Sequence, residues 1–392
     1  MAHVVRTRES WLARLVASAV GVLVGAVLLL AAFPFLIWNE SRAVTRARSL
    51  AEGAEAVVSI GSDTIDASNQ GRLVHVTGTA ATNEQLADPL LAVSANAVKL
   101  RRTAEMYQWV EVSRSETRNK LGGGTETVTT YEYKKEWSGK PHGSDDFKER
   151  GHDNPPMPMQ SEIVSASVVR LGAFTLSREQ VDALTDFSAR PVDAAALEAT
   201  PGEFQQKARV HDGGFYLGEN PAAPAIGDLR IRFEVVEPGP VSTVAGQSGE
   251  SFVPYATSAG SSIMLVESGT HSAADMFQAA QSQNTVLTWF LRFLGFFAMF
   301  AGIGLVLRPL RVIGDVVPLI GTLIGLGAGV VSAGLAFVLS LTTISIAWIA
   351  FRPLVGGSLL VVVVAVLAWM WHAGRRRVAQ APRVVPPPIP AA

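Results

Sequence analysis

The chain has 392 residues, a formal net charge of −1 from 33 basic and 34 acidic side chains, 48% hydrophobic residues and only 17% charged ones. Its mean hydropathy is +0.26. Soluble domains average about 25% charged residues, so the balance points to a membrane protein, and the missing basic excess argues against a nucleic-acid binder. There is no cysteine, which excludes disulfides, thiol catalysis and zinc or iron–sulfur sites built on Cys.

Residues 1–14 carry Arg6, Arg8 and Arg14. Leu15 to Trp38 follows, 24 residues without a charge. About 20 apolar residues cross a bilayer core, so residues 15–38 are predicted to span the membrane, with Trp11 and Trp38 as interface anchors. The run is too long for the core of a cleaved signal peptide. Arg42, Arg46 and Arg48 come next. Arg42 and Arg46 share a helix face. They read either as contacts to lipid phosphates or as a solvated continuation of the helix.

Residues 39–285 form one polar insert, long enough for its own core and expected to be a strand-rich α+β domain. Gly71 to Gly78 alternates apolar and polar residues between glycines, a strand pattern. Ala97 to Ser113 and Thr125 to Trp137 read as the arms of a hairpin around Leu121-Gly-Gly-Gly124. Asp228 to Glu237, Val241 to Gln247 and Ser262 to Glu267 form a second strand group, and the two groups suggest two small β-rich subdomains. Helices are predicted over Ser177 to Phe187, where Ser177 and Gln180 suggest a capping box, and over Ser272 to Gln283, leading into the next span.

Three further spans are expected at residues 286–307, 316–351 and 354–372. The second is uncharged for 36 residues, about 54 Å of helix, so it either starts at the interface near Pro318 or tilts. Arg352-Pro353 closes it. Arg292 lies one turn inside the first of the three and is expected to snorkel. Gly321, Gly325 and Gly329 recur every four residues, a helix-packing signature in lipid. Ser340, Thr342, Thr343 and Ser345 either line a polar path or bond back to their own helix. No acidic residue falls within a span, which leaves a proton relay little to stand on. Four spans put both termini on one side, and the arginines of residues 1–14 and of the Pro/Arg-rich tail 373–392 make that side cytoplasmic. The insert is then expected wholly outside the cytoplasm.

No metal-binding His pair, nucleophile elbow, phosphate loop or dinucleotide fingerprint is present in the sequence. His142, Asp145, Asp146, His152 and Asp153 lie close together, but among Gly and Pro residues they read as a solvated loop. His152 and His211 are the best remaining catalytic candidates. The Pro-rich tail reads as a polyproline docking strand or as disorder.

Several motifs carry a resemblance. Asn39-Glu40-Ser-Arg42, Gly71 to His75, Lys99-Leu-Arg101-Arg102, Met106-Tyr107-Gln108-Trp109-Val-Glu111, Tyr131-Glu-Tyr133, Gly151-His152 with Asn154-Pro155, Glu219-Asn-Pro221, Gly227-Asp228 and Arg352-Pro353 stand in order. Together they resemble the LUMA family, also called transmembrane protein 43, over roughly residues 10–375. The resemblance implies a multi-pass helical membrane protein with a large insert between its first two spans and no established enzymatic activity or cofactor. Animal members sit in the endoplasmic reticulum and inner nuclear membrane and are linked to membrane organisation through self-association and partner proteins. The Ala-, Val- and Arg-rich, cysteine-free composition suggests a bacterial member, in the inner membrane with the insert outside. The expected function is a non-enzymatic membrane scaffold or sensor. It would work in the lipid bilayer with copies of itself and other membrane proteins, its motif residues serving structure or partner binding. An ion channel or transporter built from the C-terminal helices is the competing reading.

Overall fold

The structure is a computed structural model that describes residues 3–200 and 202–351, and residues 353–368 in part. Arg352, the tail 373–392 and much of the expected last span lie outside the described residues. The chain divides into two compact units. One holds residues 1–8, 45–118 and 126–284; the other holds residues 9–44, 119–125 and 285–392.

Three helices among the described residues are long and apolar enough to cross a membrane. The first runs Trp11–Ala56, with Pro34 inside it. It extends 18 residues past Trp38, because nothing in Asn39 to Ala56 breaks a helix before Val58 enters a strand. The second runs Ala273–Gly314. The helix expected at Ser272 to Gln283 and the span 286–307 are therefore one element. The third runs Pro318–Phe351, about 51 Å at 1.5 Å per residue. It starts at Pro318 because proline suits the first turn of a helix, where its missing N–H has no partner to lose.

In the helical unit, Ala32, Leu36, Met299, Ile303 and Ala336 form the buried core, while Leu23, Val27, Leu30, Phe290, Phe293, Leu323 and Leu326 point outward. Apolar outer faces are what a bilayer requires. The first two helices approach closely at Gly25 and Gly302. A Cβ on Gly25 would lie 2.6 Å from the Gly302 carbonyl oxygen, and one on Gly302 would lie 2.8 Å from that of Gly25. The predicted packing row is used unevenly. Gly321 meets Asp315 and Gly325 meets the Arg311 side chain, but a Cβ on Gly329 would touch nothing within 4 Å. A second glycine contact, not in that row, therefore joins the first two helices.

The other unit contains two main sheets. Neither follows the predicted division into an early and a late strand group. In the first sheet the order is His3–Glu9, Thr125–Ser138, Lys99–Asn119, Leu229–Val236, Gly214–Leu217, Ala208–His211. Lys99–Asn119 pairs antiparallel with Leu229–Val236 from Lys99↔Val236 to Met106↔Leu229. In the second, Leu73–Ala81 pairs with Gly239–Ser248. That strand pairs with Ser251–Val253, and the ring closes through Phe174–Thr175 and Arg170–Leu171 back to Leu73–Ala81. Closure removes free edges, so early and late strands share one small barrel. Between the sheets lies a core of Val74, Leu100, Met106, Phe174, Phe215, Ile231 and Phe233. The Ser177–Gln180 capping box is present, but the helix it starts covers only Arg178–Ala183. It stops there because Lys99 takes up its last carbonyls, with Nζ donating to Asp182 O at 2.6 Å and Leu184 O at 2.8 Å.

The hairpin arms reach further than predicted, to Asn119 on one side. Only Lys120 to Gly124 turns, with Gly122 and Gly123 at φ of 87° and 79°, a region glycine enters freely.

Candidate functional site

The alternation of a strand sets the first cluster. Along Lys99–Asn119, Met106, Gln108 and Val110 face inward, and Tyr107, Trp109 and Glu111 face the other way. Gln108 is fully buried. Its Nε2 donates to Lys140 O at 2.9 Å and Ser138 O at 3.2 Å, and its Oε1 accepts from His142 N at 2.9 Å. Asn154 acts as a one-residue strand. Its Oδ1 accepts from Trp109 N at 2.7 Å, and its Nδ2 donates to Trp109 O at 2.9 Å and His142 O at 3.0 Å. These two amides fasten the loop after the hairpin to the hairpin itself.

Gly227 and Asp228 join the same place. Tyr107 N donates to Asp228 O at 2.8 Å and Gly227 N to Tyr107 O at 2.9 Å. Gly227 has φ of 95°, and a Cβ there would sit 2.9 Å from Pro155 Cγ, so glycine is needed for conformation and for space. The buried Asp228 carboxylate accepts from the Tyr216 hydroxyl and from Ala225 N. Burial, then the bond to Asp228, pushes the Tyr216 phenol well above its ordinary range. Pro158, Lys207, Arg209, Gly218 and Asp228 line a hollow of about 770 Å³ here.

Aromatic rings cover the joint. His152 stacks on Tyr133 at 3.8 Å and meets Trp109 edge-on at 4.6 Å. Tyr133 OH donates to Glu111 Oε2 at 2.6 Å. Trp137 meets Tyr107 at 5.2 Å and carries the Arg230 guanidinium 4.7 Å over its face. The motif residues at 106–109, 151–155 and 227–228 are thus brought together. His142 bonds through its backbone within this joint, and among the described residues no group of three His, Asp or Glu side chains is arranged to hold a metal. His211 lies on the edge strand Ala208–His211, its ring edge-on to that of Tyr216 at 6.1 Å.

Lys99, Arg101 and Arg102 do separate structural work. Arg101 pairs with Glu234 at 2.8 Å and lies 3.9 Å over Phe187. Arg102, nearly fully buried, bonds Asp88, Glu162 and the Gln160 carbonyl. Lys99 is desolvated, which lowers its pKa from the usual lysine value.

The second cluster lies in the helical unit. Glu40 is fully buried. Arg292 grips it with two parallel bonds, Nε to Oε1 and Nη2 to Oε2, each 2.7 Å, and Trp348 Nε1 donates to Oε2. Asn39 donates to Thr288 O at 3.2 Å, and Arg42 Nη2 to Thr288 Oγ1 at 3.1 Å. Three helices meet in this knot. Arg292 therefore does not snorkel, because a bidentate carboxylate satisfies it inside the bundle. Sequence alone does not single out Thr288 or Trp348, and it places Arg292 at the interface rather than in a buried pair. The available signal was an acid two residues past one span and an arginine just inside another, which in lipid are expected to pair. Arg46 is likewise used internally, donating to Ser262 O at 2.6 Å.

Comparison with known proteins follows this geometry. The profile of the family described as Transmembrane protein 43 matches residues 106–353. The chain is 35% identical over 360 residues to rat Transmembrane protein 43, covering 88% of each. It is 34% identical over 361 residues to the human protein, covering 89% of this chain and 88% of that one. It is 32% identical to the Drosophila melanogaster homolog, covering 88% of this chain and 93% of that one. No solved structure matches the chain.

Proposed function

The chain belongs to the transmembrane protein 43 family, and from that premise we propose that it works as a non-enzymatic membrane scaffold or sensor. It is an integral membrane protein by family and by its apolar helices. The observation that carries the proposal is the Asn154–Trp109 joint. The amide groups of Gln108 and Asn154 are spent on backbone atoms, so these motif residues hold a surface in shape. What they hold is an aromatic face built from Tyr107 and Trp137, with the Arg230 guanidinium over Trp137 and paired to Glu105. Aromatic and Arg side chains are the usual anchors of protein interfaces. The names of the relatives state no enzymatic activity. Self-association and contact with other membrane proteins complete the reading, in a bacterial inner membrane or, for a eukaryotic chain, in the endomembrane system.

A pore through the C-terminal helices has less behind it. Ser340, Thr342, Thr343 and Ser345 each donate to a carbonyl of their own helix, at 2.7–3.1 Å. Crosslinking the full chain in its native membrane tests the scaffold reading. Multimers and one reproducible protein neighbour, both reduced by Trp137→Ala, are expected. Monomers alone, with no reproducible neighbour, contradict it.

A further inference from the structure

The helical unit is short of acid. Residues 9–44, 119–125 and 285–392 hold three carboxylates, Glu9, Glu40 and Asp315. Two of them are spent inside the bundle. Glu40 is taken by Arg292 and Trp348. Asp315, fully buried, pairs with Arg14 at 2.5 Å, and its other oxygen accepts from Asn119 Nδ2 at 2.9 Å. The third, Glu9, precedes the first helix. The same unit carries Arg308 and Arg311 near the end of the second helix, both exposed. Among the described residues neither is held by a carboxylate, in contrast to Arg14 and Arg292.

These two side chains do not hang free in solvent. Each is laid against a glycine of a neighbouring helix. A Cβ on Gly21 of the first helix would lie 3.9 Å from Arg308 Cδ and Nη1. One on Gly325 of the third helix would lie 2.9 Å from Arg311 Nε. Residues three apart are neighbours on a helix surface, so two cations share one patch, with a helix on either side.

The patch lies at the depth of a phospholipid headgroup. Phe293 to Leu307 is uncharged. Arg308 is the first charge after it, about 24 Å along the helix from Arg292. Trp11 Nε1 donates to Val312 O at 2.9 Å. That contact sets an indole at the level of the arginines, and indoles favour the membrane–water boundary. Towards the hydrocarbon the same helix face turns apolar. Phe297 stands about three turns before Arg308 and Phe293 about five turns before Arg311, and both phenylalanines are exposed.

We propose that Arg308 and Arg311 hold the phosphate of an anionic phospholipid, whose acyl chains lie along the Phe293 and Phe297 face of the second helix. A phosphate oxygen accepts charge-assisted bonds from guanidinium groups. It supplies the counter-charge that the bundle's own acids do not, and basic pockets between membrane helices suit such headgroups. A free phosphate offers the same anion but leaves the apolar face below the cations uncovered, so the lipid is the better occupant. The site goes beyond the scaffold reading and uses no residue of its crosslinking test.

The test is lipid binding to the purified full chain in non-ionic detergent, followed by native mass spectrometry. Dioleoyl phosphatidylglycerol is expected to bind at least about tenfold more tightly than dioleoyl phosphatidylcholine, which has the same chains and no net charge. In Arg308→Gln/Arg311→Gln the preference should fall to within about twofold, while Arg190→Gln, at an exposed position in the other unit, leaves it unchanged. No preference in the wild type overturns the proposal. So does a preference that survives in the double variant, shown folded by its elution profile. If the double variant does not fold, each single change is expected to lower the preference about threefold, and no loss in either overturns the site. Displacement of the lipid by millimolar inorganic phosphate would make this a free-phosphate site and overturn the lipid assignment.

Discussion

The two clusters of motif residues solve opposite problems. In the helical unit, Glu40, Arg292 and Trp348 satisfy one another. Each helix already pairs its own backbone, so buried side chains must find other side chains. In the strand-rich unit, Gln108 and Asn154 bond backbone groups of a loop that has no ladder of its own. There the amide replaces a missing strand. A polar motif in a helical membrane segment thus joins elements, whereas one beside a sheet completes them. The energetic consequences differ as well. A broken ion pair strands a charge, whereas a lost amide leaves neutral groups that water can reach in part.

The comparison can be broken at several points. The largest effect is expected from Glu40→Gln, which leaves the Arg292 guanidinium buried without its carboxylate. Removing one partner of a buried pair costs about 3–5 kcal/mol, read as a fall in thermal stability of the detergent-solubilised chain. A shift no larger than for an exposed position would mean that water reaches the knot. Gly302→Leu comes next, because its side chain must displace the backbone at Gly25; overpacking of this kind costs about 1–3 kcal/mol. Gly329→Leu is the matched control and is expected to leave stability unchanged, since that position is open. Equal losses in the two variants would refute the assignment of the packing glycines. Asn154→Ala should cost about 1–3 kcal/mol through the unpaired groups of Trp109 and His142. It should also raise proteolytic cleavage between Lys140 and Asn154 while leaving the helical unit intact.

The smallest effect is pH-dependent. Backbone and hydroxyl hydrogen bonds from Ser167, then the Val168 N–H, hold the Glu84 carboxyl below its ordinary value of 4.5. A depressed carboxylate pKa contributes stability that is present above 4.5 and is lost as pH falls through the folded value. The stability gap between the wild type and Glu84→Gln should therefore shrink as pH drops below 4.5. A constant gap would mean that the carboxylate is not the form that holds Ser167.

The sequence was informative where local pattern decides the structure. A long apolar helix containing Leu15 to Trp38, a strand within Gly71 to Gly78 and the Ser177–Gln180 box are all present, although the helix runs on to Ala56 and the strand is buried on both faces from Leu73 to Val76. The resemblance carried on Met106 to Glu111 and Asn154-Pro155 matches the family finding. The sheets were not legible, because pairing of Leu73–Ala81 with Gly239–Ser248 joins residues far apart in the chain, and strand patterns do not name their partners. The Glu40–Arg292 pair was hidden for a similar reason. Each residue lies at the rim of its own apolar run, and only the meeting of two helices shows that both are buried. Gly25 and Gly302 were missed because the denser row at Gly321 to Gly329 gave the stronger local signal.

The most direct test is a double-mutant cycle on Glu40 and Arg292 in the full chain. Stability would be measured for Glu40→Gln, Arg292→Gln and the pair. Each single change should be strongly destabilising, and the double change should cost clearly less than their sum, because it removes both charges together. Additive losses would show that the two residues act independently, and a knot joining the three helices could not then be what holds the membrane unit together.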